Sequence, residues 1–173
     1  MVKFKQNIGI ILRNEEKKVN IEEVKKIKKI CNKQKIQFYL YKDIKLALRL
    51  KLDGVYIPSY YKNLRIKVYK LSRKFSIIGS AHNVREIRIK EKQGVNMIFL
   101  SPIFKINKKL SYLGLARYNN LSNQTKIKNI ALGGINTNNI KSLKLTNAYG
   151  FASISYLKNN SNIDITNMKS LEK

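Results

Sequence analysis

The sequence is short of several things, and each shortage closes off a class of protein. A single cysteine, Cys31, excludes an internal disulfide and a cysteine-based zinc site. The one histidine, His82, is a lone acid–base candidate, and a histidine beside a helix start more often caps or packs. No apolar run approaches the roughly 20 residues that span a bilayer. The lysines of Met1 to Gln6 are not followed by the apolar stretch of a signal peptide. These features lead us to expect a cytoplasmic protein with no membrane partner. No Gly-x-Gly-x-x-Gly follows the first apolar run, which argues against a dinucleotide fold.

Acidic residues are scarcer still: 10 against 36 lysines and arginines in 173 residues, a net charge of +26. Clustered cations of this kind attract polyanions by releasing counterions. The same lysines also serve as ordinary solvated faces, as Lys25, Lys26, Lys28 and Lys29 do on the wet side of a helix. Clefts inside such a field draw anionic small molecules. The apolar content of 43% is ordinary for a globular chain and supports one domain with a sizeable core.

Short apolar runs alternate with helical patterns along the chain. Strands are expected at 8–12, 36–40, 54–57, 76–80, 96–100, 129–132 and 149–154. Asn20 with Glu23 and Asn83 with Glu86 read as capping boxes, and Gly94 as a helix stop. Cys31 falls on the apolar stripe of the first helix, as a core thiol. Leu64, Val68 and Leu71 are spaced for one helix face, and a further helix is expected over 137–145. Residues 105–118 read as a polar, lysine-rich loop. Such alternation predicts an α/β fold with parallel strands and right-handed crossovers. Short βα units fit a TIM-type (β/α) barrel, which has eight strands when complete, so one unit is apparently missing. The expected domain is 1–158, incomplete at its N-terminus, with 159–173 a polar tail or short last helix. A seven-stranded barrel exposes two strand edges, so the N-terminal segment, the tail or a second copy in a homodimer is expected to cover them.

Barrel sites lie at the C-terminal ends of the strands. Those ends carry Arg13, Lys42, Ser59, Ser80 with His82, Ser101 with the lysines up to Lys109, the pair Gly133-Gly134, and Ile154-Ser155. A glycine pair after a strand lets the backbone approach an oxyanion and donate its N–H groups, or simply makes a tight, closely packed turn. Phosphate sites in barrels commonly follow the seventh and eighth strands. Gly133, Gly134, Ile154 and Ser155 are therefore the expected phosphate-binding set. Tyr56, Tyr60 and Tyr61 near Arg65, Lys67 and Lys70 either stack on bases or cover the end of the barrel.

Four segments resemble the thiamine-phosphate synthase and TenI family. They are Asp53-Gly-Val-Tyr-Ile57, Ile78-Gly-Ser-Ala-His82, Ser101-Pro-Ile-Phe104 with Lys109 and Gly114, and Leu132-Gly-Gly-Ile135 with Gly150-Phe-Ala-Ser-Ile-Ser155. The resemblance spans residues 8 to 158 and aligns the first strand here with the family's second. It implies a transferase of thiamine biosynthesis, joining a thiazole phosphate to a pyrimidine with loss of pyrophosphate. It also implies Mg²⁺, but the family's metal carboxylates fall on Tyr41-Lys42 and near Tyr61, with Asp43 one position away. Of the Gln-x-Arg-x-Lys motif, on Ile11, Arg13 and Glu15, only the arginine is kept. The Thr-x-Thr-Lys loop falls on Ile106, Lys108 and Lys109, and the tautomerase histidine on Pro102. The catalytic set carried over is thus Arg13, Lys42, Ser80 and Lys109, with no metal ligand and no assured cofactor. Two outcomes fit: a synthase in which Lys42 replaces metal charge, or a degenerate relative that binds a phosphorylated thiazole or thiamine phosphate. A different class of reading is a basic nucleic-acid-binding or scaffolding protein on a worn barrel.

Overall fold

A computed structural model describes residues 8–13, 19–69, 71–106 and 111–153. The expected edge covers, 1–7 and the tail from 159, lie outside these residues. So do Lys109, Ile154 and Ser155.

Seven strands alternate with helices in chain order: β1 (Gly9–Leu12), α1 (Ile21–Lys33), β2 (Gln37–Tyr41), α2 (Ile44–Arg49), β3 (Gly54–Ile57), a 3₁₀ turn (Leu64–Val68), β4 (Ser76–Ala81), α3 (Val84–Gln93), β5 (Met97–Leu100), α4 (Gly114–Ser122), β6 (Lys128–Leu132), a second 3₁₀ turn (Ile140–Leu145) and β7 (Gly150–Ala152). This is the α/β, TIM-type pattern of parallel strands and crossover helices. Two compact units are distinguished. One carries β1 to β3 and the segment ending at Ser76. The other carries 58–69 and everything described from Ile77 on.

In the first unit β1 pairs β2 and β2 pairs β3, all parallel. Asn20 caps α1 by accepting from the N–H groups of Glu22 and Glu23. Val24, Ile27 and Cys31 form its buried stripe. Burial pushes the Cys31 thiol up to about 11, as befits a core thiol. A Cβ on Gly54 would sit 1.9 Å from the Ser76 carbonyl oxygen, so only glycine lets β3 run this close to its neighbour.

In the second unit β4 pairs β5, β5 pairs β6 and β6 pairs β7, again parallel. Its core joins Ala81, Ile87, Ile98, Leu100, Ile103, Tyr118, Leu121, Ala131 and Ile135. Tyr118 is fully buried and its hydroxyl donates to Asn129 Oδ1 at 2.8 Å, which satisfies both polar groups.

Three local expectations are corrected. Residues 114–122, expected within the lysine-rich loop or beyond it, form α4, with Tyr118, Leu121 and Ser122 buried at i, i+3, i+4 spacing. The Leu64–Val68 stripe is no helix face: Leu64 and Val68 are exposed, and Ile66 between them is the buried anchor of a 3₁₀ turn. The helix expected from Thr137 starts only at Ile140, because Asn136 and Asn139 turn the chain first. Asn136 Oδ1 accepts from the N–H groups of Asn138 and Asn139, and Asn139 Oδ1 accepts from that of Asn136.

Candidate functional site

The strand ends of the first unit are cationic. Arg13 follows β1, and its guanidinium carbon lies 5.7 Å from the centroid of the Tyr41 ring. Lys42 follows β2, and its ammonium lies 4.9 Å from the same ring. Both distances are within cation–π reach. Tyr41 is itself buried and stacks on Tyr56 at 5.9 Å between centroids. Two of the expected anion-binding residues thus converge on one aromatic platform. Lys42 has φ +59°, a left-handed conformation uncommon for a residue with a Cβ. Its N–H is tied to Tyr56 O at 2.8 Å, and the next N–H groups fold back on Tyr41 and Lys42 carbonyls. The turn sets the direction in which Lys42 leaves the strand. Asp43 is committed to α2, where its carboxylate accepts from Leu46 N at 2.9 Å.

In the second unit the expected residues divide. Ser80 is buried one residue before the end of β4. His82, just past that end, places Nδ1 2.6 Å from the Ser101 carbonyl oxygen. A carbonyl only accepts, so in the neutral ring Nδ1 carries the proton and Nε2 is the basic nitrogen. Its backbone N–H donates to Glu86 Oε2 at 2.7 Å, while Asn83 Oδ1 accepts from Glu86 N. The reciprocal cap of α3 therefore also fixes the backbone of His82.

Gly133 and Gly134 close β6 with φ +98° and +72°. A Cβ on Gly133 would stand 2.8 Å from Pro102 Cβ, and one on Gly134 2.6 Å from the carbonyl oxygens of Phe104 and Lys105. The segment after β5 continues along the end of β6: Ile103 N donates to Leu132 O and Phe104 N to Gly133 O. The close approach that the glycines permit is to this segment of the protein's own backbone. The Gly134 carbonyl accepts from Asn139 Nδ2 at 2.8 Å. Tyr56 is buried against Tyr41, and Tyr60 is exposed.

Residues 7–157 match the family model for thiamine monophosphate synthase. The chain belongs to that family. A thiamine-phosphate synthase of Methanococcus vannielii is 28% identical over 137 residues, covering 78% of this chain and 66% of that protein. A putative thiamine-phosphate synthase 2 of Aquifex aeolicus is 32% identical over 134 residues, covering 76% and 71%. Among solved structures, thiamine phosphate pyrophosphorylase from Pyrococcus furiosus superposes with a TM-score of 0.66 at 19% identity, over 85% of this chain and 71% of that one. That likeness establishes the fold. The chain spans about two thirds of the length of the first of these relatives.

The Mg²⁺ implied by resemblance to this family does not fit the side chains that the described residues place at these strand ends. The strand end where the first carboxylate is expected carries Lys42, Asp43 beside it is engaged as a helix cap, and the second carboxylate falls near Tyr61. Among the described residues no group of three histidine, cysteine, aspartate or glutamate side chains comes together. Hard divalent ions need several oxygen ligands, and this donor set is cationic.

One buried group escaped the sequence reading. Lys90 of α3 is fully buried, and its ammonium donates to Pro58 O at 2.7 Å, Tyr61 O at 2.9 Å and Gln93 Oε1 at 3.0 Å. One signal marks it in the sequence: it lies three residues after Ile87, on the same helix stripe. In the structure Gly79 leaves room for its stem, since a Cβ there would meet Lys90 Cδ at 2.9 Å.

Proposed function

We propose that the chain is a thiamine-phosphate synthase-like protein of thiamine biosynthesis. In this reading it binds a phosphorylated thiazole or thiamine phosphate without a divalent ion. The observation that carries the reading is the convergence of Arg13 and Lys42 on the Tyr41 ring, with Lys42 at the strand end where the resemblance expects a metal carboxylate. In the first unit these two cations supply anion-neutralising charge, Lys42 as a point-charge phosphate partner. In the second unit Ser80 and Lys109 act on the pyrophosphate side, and the turn at Gly133 and Gly134 with Ile154 and Ser155 holds a monophosphate through N–H groups. Departure of pyrophosphate needs strong charge neutralisation. A lysine at one metal-carboxylate position and no carboxylate near Tyr61 fit binding better than fast transfer, so the protein is read as a degenerate synthase.

Ligand-induced thermal stabilisation tests this reading, using thiamine phosphate, thiazole phosphate and pyrophosphate, each with and without Mg²⁺. A ligand at 100 times its Kd adds about 2.7 kcal/mol. The expected result is a shift with thiamine phosphate that ignores Mg²⁺. A shift that requires Mg²⁺, or none with any phosphorylated ligand, would overturn it.

A second reading rests on one further observation. A cleft of about 450 Å³ between α1 and the end of α2 is lined by Lys25, Lys28, Lys29, Arg49 and Lys51, with no carboxylate among its lining residues. This favours a polyanion partner. Tight, steeply salt-dependent binding of a short RNA, with no response to phosphorylated small molecules, would select it.

A further inference from the structure

The segment 58–63 follows β3 at its C-terminal end, the end at which (β/α) barrels carry their sites. It is held from beneath by α3. Lys90 Nζ donates to the carbonyls of Pro58 and Tyr61, and Gln93 Nε2 donates to those of Tyr61 and Asn63, at 2.8 and 3.0 Å. Gln93 Oε1 accepts from Lys90, which joins the two side chains into one unit. An ammonium has three N–H donors and no acceptor, and here it meets three oxygens. A neutral amine would donate only two hydrogen bonds and leave one oxygen unmatched. The cation's position is specified from the strand side too, since glycine at 79 is what allows the stem to pass. Burying a lysine fully is costly, and burial pulls its pKa down to about 8, with Glu86 the charged neighbour that opposes the shift. An apolar residue on this stripe would pack at lower cost. What the charge adds is a fixed backbone for 58–63.

We propose that Lys90, together with Gln93, is a positioning residue: its buried ammonium fixes the backbone of 58–63 and thereby the geometry that this segment presents to an anionic ligand. The positioning role rests on the phosphate-binding reading above; the clamp itself does not. It places a protein cation under a segment where the sequence offers Tyr61 and no carboxylate.

Lys90→Met tests it, because methionine keeps an unbranched stem over Gly79 and removes only the charge and donors. Amide hydrogen exchange of residues 59–64 is expected to rise by about tenfold, with the remaining amides of the same unit unchanged. Thiamine phosphate is expected to bind about tenfold more weakly. Unaltered exchange in the segment would overturn the clamp. Faster exchange with unaltered affinity would overturn the positioning role. If Lys90→Met does not fold, Gln93→Met removes two donors to the same segment and is read in the same way. A wild-type protein that binds no phosphorylated ligand would sink the proposed function, and the clamp would then be decided by exchange alone.

Discussion

A methyl group at Gly134 would stand 2.6 Å from two carbonyl oxygens, in a backbone at φ +72°. Left-handed backbone costs a non-glycine residue roughly 1–3 kcal/mol before any collision. Gly134→Ala is therefore expected to lose more than that range, read from urea unfolding midpoints. Lost ligand affinity in this variant would say little about phosphate contact, because the segment from Pro102 to Lys105 must move first. The sequence made the glycine pair legible as a place where backbone comes close. It did not say what comes close, because a positive φ and a missing Cβ look the same whether the neighbour is a phosphate or a carbonyl. Arg13 and Lys42 were legible as strand-end cations, but their shared contact with Tyr41 depends on a turn at φ +59° that no lysine announces. Lys90 was hidden by its type, since lysine on a helix is read as solvated by default.

At the scale of elements, strands were the most readable part. Each is a short apolar run bounded by polar residues, and the seven fall within a few residues of their expected limits. Caps were equally plain. Asn83 accepts from Glu86 N while Glu86 accepts from His82 N. Asn83→Ala is expected to cost about 1 kcal/mol in denaturant unfolding, in the usual range for a lost cap. It should also free His82, seen as broadening of its ring signals by NMR. Helix α4 escaped because nothing marks its start: Leu113 gives no side-chain cap, and lysines crowd the approach. The 3₁₀ turns escaped for a different reason. Their side chains repeat near every third residue, so a stripe sought at helical spacing picks exposed Leu64 and Val68 over buried Ile66.

For the whole molecule, buried titratable groups set the response to alkali. The Lys90 ammonium has its pKa lowered from the ordinary 10.5 to about 8 by burial. Between those values the unfolded chain binds more protons than the folded one, so this group makes stability rise with pH. Cys31 acts the other way above its ordinary value of 9.0, since burial raises its pKa to about 11. Tyr39, raised by burial to about 12, and Tyr118, also raised by burial, add to the opposing trend above 10.0. The contribution of these groups rises from pH about 8 to 9, levels, and falls above 10. Unfolding midpoints measured across this range should show the first rise in the wild type and not in Lys90→Met.

Solvent ions sort the cations of this protein into two populations. At 0.1 M salt the Debye length is about 10 Å, and attraction between exposed lysines and a distant polyanion fades accordingly. Lys90 is fully buried, away from the screening that acts on exposed charges. Raising ionic strength therefore mutes the charge that advertises the molecule from afar and leaves untouched the charge that shapes 58–63. A preparation in concentrated salt would lose its electrostatic reach while keeping that segment set.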